Sequence, residues 1–197
     1  MFIEAKTIIQ NELLNNEDVI WHGAPYLAKH FIKFDIFFIP FSVFWLILLI
    51  HMLSGILINI TDFHPIGIIL LIPVSVAFMI FGLYFVFGRF IMKRSIKKRT
   101  IYAITNKRIL VIRMSLNGAI KKVSSREINS ISDESVSCDN NGIGTISFGA
   151  IPIWSANLYT DINMGTLTDS DNNGIIVFYD IEDCMHVFNM YKDVKYQ

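Results

Sequence analysis

The stretch that decides the architecture is residues 34–90, FDIFFIPFSVFWLILLIHMLSGILINITDFHPIGIILLIPVSVAFMIFGLYFVFGRF. Between Lys33 and Arg89 it contains no lysine or arginine, and its carboxylates are Asp35 and Asp62. A hydrocarbon core about 30 Å thick takes roughly 20 helical residues to cross at about 1.5 Å each. The stretch therefore predicts two crossings, about 36–56 and about 66–88, with Asn59, Thr61, Asp62, His64 and Pro65 between them. Pro73 predicts a kink, and Gly82 or Gly88 a close helix contact.

Charge flanking the stretch sets the expected orientation. Arg89, Lys93, Arg94, Lys97, Lys98 and Arg99 follow it, Lys29 and Lys33 precede it, and the inter-helix loop carries neither lysine nor arginine. Positive residues are retained on the cytoplasmic side, so both termini are expected there, in a multi-pass protein of the bacterial inner membrane. The basic run would then sit beside anionic headgroups, making the lipid bilayer a partner. The spans carry few ionisable groups, which argues against transport or a proton relay.

Residues 1–33 are read as an N-terminal cytoplasmic segment. Its Glu4, Glu12, Glu17 and Asp18, and the absence of a basic start before an apolar run, do not suit a cleavable signal. Phe2, Ile3, Ile8, Ile9, Leu13 and Leu14 are spaced loosely like one helix face, suggesting a lead-in or a helix lying on a surface.

After Arg99 the period becomes that of strands, and 91–197 is read as a cytoplasmic domain. Thr100 to Thr105 and Ile109 to Met114 are rich in β-branched residues, with the Asn106-Lys107-Arg108 turn between them. Further strands are expected at Ala119 to Ser124, Ile128 to Ser137, Thr145 to Phe148 and Ile175 to Tyr179, with turns at Asn117-Gly118, Asn140-Asn141-Gly142 and Asn173-Gly174. Ile181, Met185, Phe188 and Tyr191 then recur at helical spacing behind Asp180, a candidate N-cap. The expected fold class is an α+β membrane protein: a two-helix transmembrane hairpin, then a small antiparallel β-barrel closed by a C-terminal helix.

Four segments, Glu17 to Pro25 (EDVIWHGAP), Phe34 to Ser42 (FDIFFIPFS), Phe81 to Tyr84 (FGLY) and Tyr102 to Leu110 (YAITNKRIL), taken in order, resemble bacterial membrane proteins with a PH-like domain. The resemblance implies two packed antiparallel sheets closed by a C-terminal helix. It leaves the strand order between Phe148 and Gly174 open.

Function is less legible. Net formal charge is zero, which gives no pull toward nucleic acid. The chain has no GxSxG, HExxH, phosphate-cradling loop or dinucleotide fingerprint. His22, His30, His51, His64 and His186 are scattered, and Ser124, Ser125, Asp133 and Glu134 do not suggest a converging site. No enzyme, cofactor or metal is expected. Cys138 and Cys184 belong to no CxxC or metal-spaced cluster and are read as small fillers or idle surface thiols. Asp169-Ser170-Asp171-Asn172-Asn173-Gly174 matches the first half of a calcium loop, but position twelve is Asp180 rather than glutamate, so a turn is preferred.

Two roles follow. The first is an interaction or scaffold module that binds a protein partner or another copy through a sheet edge or groove. The second is a sensor of anionic lipid using Lys107, Arg108, Arg113, Lys121 and Lys122, with Arg126 beside them.

Overall fold

The computed structural model describes residues 2–27, 35–58, 65–149 and 175–197. The chain divides into two units, Met1–Lys29 with Arg94–Gln197, and His30–Lys93.

In the first unit, alternating apolar residues build two antiparallel sheets. One holds β1 (Val19–Gly23), β2 (Thr100–Thr105), β3 (Arg108–Met114) and β4 (Ile120–Glu127) in that order. The other holds β5 (Glu134–Cys138), β6 (Gly144–Phe148) and β7 (Ile176–Ile181). Among the described residues no ladder joins the sheets, so the closed barrel expected from the sequence is corrected to a pair of open sheets. The chain breaks the ladder after β4 with a 3-10 turn at Ile128–Ser130, and after β7 with helix α5 (Cys184–Lys195). Strand β1, the sheet's first member, comes from the segment read as a lead-in.

The alternation places Tyr102, Ile104, Ile109 and Val111 on the face toward the second sheet, against Ile146, Phe148, Ile176 and Phe178. Phe178 is the hub: its ring centroid lies 4.5 Å from Tyr102, 4.9 Å from Phe148 and 6.0 Å from Trp21. Burial of such rings is the main stabilising term here. The intervening residues Ile101, Ala103, Leu110 and Ile112 form a second core on the opposite face, closed by Ile9 of α1 (Phe2–Asn11).

α5 supplies Val187, Phe188 and Tyr191 to the first core. The expected N-cap, Asp180, instead lies within β7. The strand continues because Ile181 pairs with Gly144 and is buried. Asp183 takes the N-cap position at φ 51 without a capping side-chain bond. α5 is fixed to β5 at both ends: Lys195 bonds the Glu134 carboxylate at 2.9 Å, and Cys184 forms a disulfide with Cys138. The sequence spacing of these cysteines, 46 residues, carries no sign of that pairing.

The second unit contains α2 (Asp35–Ile58), α3 (Pro65–Leu83), a π turn at Tyr84–Gly88 and the start of α4 (Arg89–Lys97). Trp45 of α2 packs on Phe78 and Phe81 of α3, and Gly82 lets Trp45 and Leu46 approach. The transmembrane hairpin is overturned: among the described residues, no helix is long and apolar enough to cross a membrane. The inner-membrane, multi-pass placement that rested on those spans is withdrawn with them. The 150–174 segment, including the calcium-like loop and the uncertain strand order, lies outside the described residues.

Candidate interaction groove

β1 closes one end of its sheet. Trp21 turns inward onto Phe178, and the ring also lies over Gly23, where an added Cβ would come within 2.7 Å of two ring carbons. Glycine is therefore needed here for the tryptophan to fold back. Ile20, which precedes Trp21 in the strand, is 41% exposed.

Past β1 the chain is tied down by a buried ion pair. Lys97, at the end of α4, meets the Asp180 carboxylate at 2.7 Å and donates to the Tyr26 carbonyl at 3.2 Å. The Tyr26 N–H in turn donates to the Asp180 carbonyl at 2.6 Å. Asp180 adopts φ 47, a left-handed conformation that β-carbon-bearing residues take at a cost unless their surroundings hold them. These three contacts hold the residues after β1 beside β7 and the start of α5.

The result is a groove of about 550 Å³ between β1 and the first turn of α5. Its floor and walls include Trp21, Pro25, Ile181 and Val187, with His22, Lys98, Glu182, Asp183 and His186 at the rim. On the other side of β1, a hollow of about 430 Å³ lies against α1, lined by Ile9, Leu13, Val19 and Ile20 among others. His22 borders both hollows. An edge strand points alternate backbone N–H and C=O groups outward, so this edge offers hydrogen bonds with a hollow on each face.

The N-terminal segment reaches β2 and β3 through Glu17. Its buried carboxylate accepts from Arg108 Nε at 2.8 Å, Arg108 Nη2 at 3.1 Å, Thr105 Oγ1 at 2.7 Å and the Leu14 N–H at 2.7 Å. Burial alone would push this carboxyl up. The Arg108, Leu14 and Thr105 hydrogen bonds, with the Arg108 charge, outweigh it and hold the group below the usual carboxylate range.

The basic residues singled out from the sequence are therefore dispersed in their tasks. Arg108 serves Glu17 and the Glu12 carbonyl, and Lys107 donates to the Asn15 carbonyl at 3.0 Å. Arg113 and Lys122 are opposite each other on β3 and β4, Lys121 is exposed, and Arg126 donates to the carbonyls of Phe148 and Ser130. Of the run after residue 88, Lys97 is consumed by Asp180, while Arg99 donates to the carbonyl and hydroxyl of Ser95. Lys98 and Arg94 are exposed. Arg89 and Lys93 belong to α4.

Sequence reasoning passed over Trp21, Tyr26, Asp180 and His186 as groove residues. The available signal was the Trp-His-Gly run, three residues whose size contrast suits a large ring folded over a glycine. Among the described residues, no three His, Cys, Asp or Glu side chains gather as metal ligands would. No family model, no curated protein and no solved structure matches the chain.

Proposed function

We propose that the chain is an interaction module, and that its two-sheet unit binds an extended segment of a protein partner, or of another copy, along β1. The observation that carries the binding role is the outer edge of β1, which pairs with no further strand among the described residues and is flanked by a hollow on each face. An added strand sends successive side chains to opposite faces, so its period of two matches hollows on both sides. A helix, with a period of 3.6, would not place neighbouring side chains that way.

The anionic-lipid role draws less support, since Lys107 and Arg108 spend their charge or donors on the N-terminal segment.

A photo-crosslinking amino acid at Ile20 tests the proposal in cells expressing the full chain. The expected result is a discrete protein adduct whose mass gives the partner or a second copy. The same probe at Leu116, 86% exposed in the β3–β4 turn, should give none. Equal labelling at both positions, or none at Ile20, rejects the β1 edge as the contact.

A further inference from the structure

We infer that Cys138 and Cys184 form a redox-responsive site, opened by thiol–disulfide exchange with a dithiol reductant. The bond joins the last residue of β5 to the first residue of α5, with Cα atoms 6.2 Å apart, within the ordinary range for a disulfide. The fold makes room for it. Gly144, opposite Cys138 in the ladder, has Cys184 Sγ only 2.6 Å from where a Cβ would stand, so a side chain there would displace the sulfur. The Gly142 carbonyl accepts the Cys184 N–H at 3.0 Å, aligning the helix start with the β5–β6 turn.

The two sulfurs differ in access, which orders the chemistry. Cys184 is fully buried, whereas Cys138 is half-buried beside the exposed turn Asp139 to Asn141. The incoming thiolate attacks Cys138 Sγ, and the S–S bond breaks with its electron pair on Cys184. That leaving sulfur stands at the first helical position of α5, whose N-terminal dipole favours a thiolate; the adjoining Glu182 and Asp183 carboxylates oppose it from exposed positions. The reductant's second thiolate then attacks its own sulfur in the mixed disulfide, releasing Cys138 as a thiolate. The two protons lost by the reductant end on the cysteines, and the reductant leaves as a disulfide.

The consequence for binding rests on the interaction reading above. His186 and Val187, in the first turn of α5, form part of the groove wall, and that turn follows Asp183 at φ 51. With the bond open, the turn is held at its start by fewer constraints, while Lys195 still fixes its other end to Glu134. The groove thus loosens from one side.

The full chain, purified without reductant, is denatured in an alkylating reagent and weighed. No added mass is expected before dithiol treatment, and two alkyl groups after it. With limiting glutathione on the folded protein, the mixed disulfide should map to Cys138. Amide exchange over 184–188 should quicken at least tenfold on reduction, with β2 and β3 unchanged. Cys138→Ser and Cys184→Ser should show the fast rate with or without reductant. Two free thiols that oxidised glutathione fails to pair, or exchange indifferent to reduction, would overturn the inference and leave the β1 reading standing. Conversely, loss of the Ile20 adduct with an intact redox response would remove the groove's role alone.

Discussion

Phe178 and Phe44 are the same side chain in opposite circumstances. Phe178 is fully buried among three aromatic rings, and Phe44 on α2 is 62% exposed. The contrast extends to their units. The two sheets bury their large apolar residues and surround them with polar ones, whereas α2 and α3 expose Ile47, Ile50, Ile58, Ile69 and Ile80 at 60% or more. The buried positions of these helices include Ser42, Ser75 and Gly82 beside Leu49, so small and polar residues take up part of the inside while many large apolar ones face outward. The sheet unit covers its own large apolar residues; among the described residues, those of the helix unit stay largely uncovered.

The largest expected effect comes from separating the two. Replacing 30–93 by a flexible Gly/Ser linker should leave a monodisperse folded protein in plain buffer, while the full chain gathers into large particles without an amphiphile. Sedimentation of both proteins checks this, and a monodisperse full chain in plain buffer would erase the contrast.

A matched pair of substitutions sharpens it. Phe178→Ala should cost about 3–5 kcal/mol of unfolding free energy in the sheet unit. Phe44→Ala should change it by about 0.5 kcal/mol or less. Denaturant melts read on Trp21 report both.

Glu17→Gln should cost about 3 kcal/mol, because it leaves the Arg108 guanidinium part-buried without its counter-charge. The pH dependence has a defined sign. Folding lowers the Glu17 pKa, so its contribution is fully present above the ordinary carboxylate range and is lost as pH falls through the depressed folded value. The gap between wild type and Glu17→Gln should therefore narrow in acid; a gap unchanged down to about pH 2 would show that the carboxylate's charge is not what stabilises the contact.

The smallest effect is expected at Lys121→Glu, an exposed position on β4, where stability should move by about 0.5 kcal/mol or less.

What was legible in the sequence follows from distance along the chain. The β2–β3 hairpin was placed nearly to the residue, because both strands and their Asn106-Lys107 turn lie within one short window. β1 was not, because its partner residues are more than 75 positions away and its own five residues form too short a pattern. Distance along the chain likewise hid the Glu17–Arg108 contact, 91 residues apart, and the cysteine pair, 46 apart. The apolar spacing of α5 is legible, but it puts the N-cap at Asp180, since nothing local announces that Ile181 still belongs to the sheet. The barrel failed for a related reason: strand patterns specify faces, whereas closure depends on whether end strands meet. The groove required β1, Lys97 and Asp180 together, and no single window of sequence contains them.

The position of β1 ahead of the apolar helices also fixes an order of assembly. As the chain is synthesised, Val19 to Gly23 emerge long before Thr100 to Thr105, the strand they pair with, and α2 and α3 are made in the interval. The first sheet cannot acquire its end strand until both helices exist. Whatever shields those helices during synthesis therefore acts while the N-terminal strand is still unpaired, and the β1 edge becomes a finished surface only once β2 has been made.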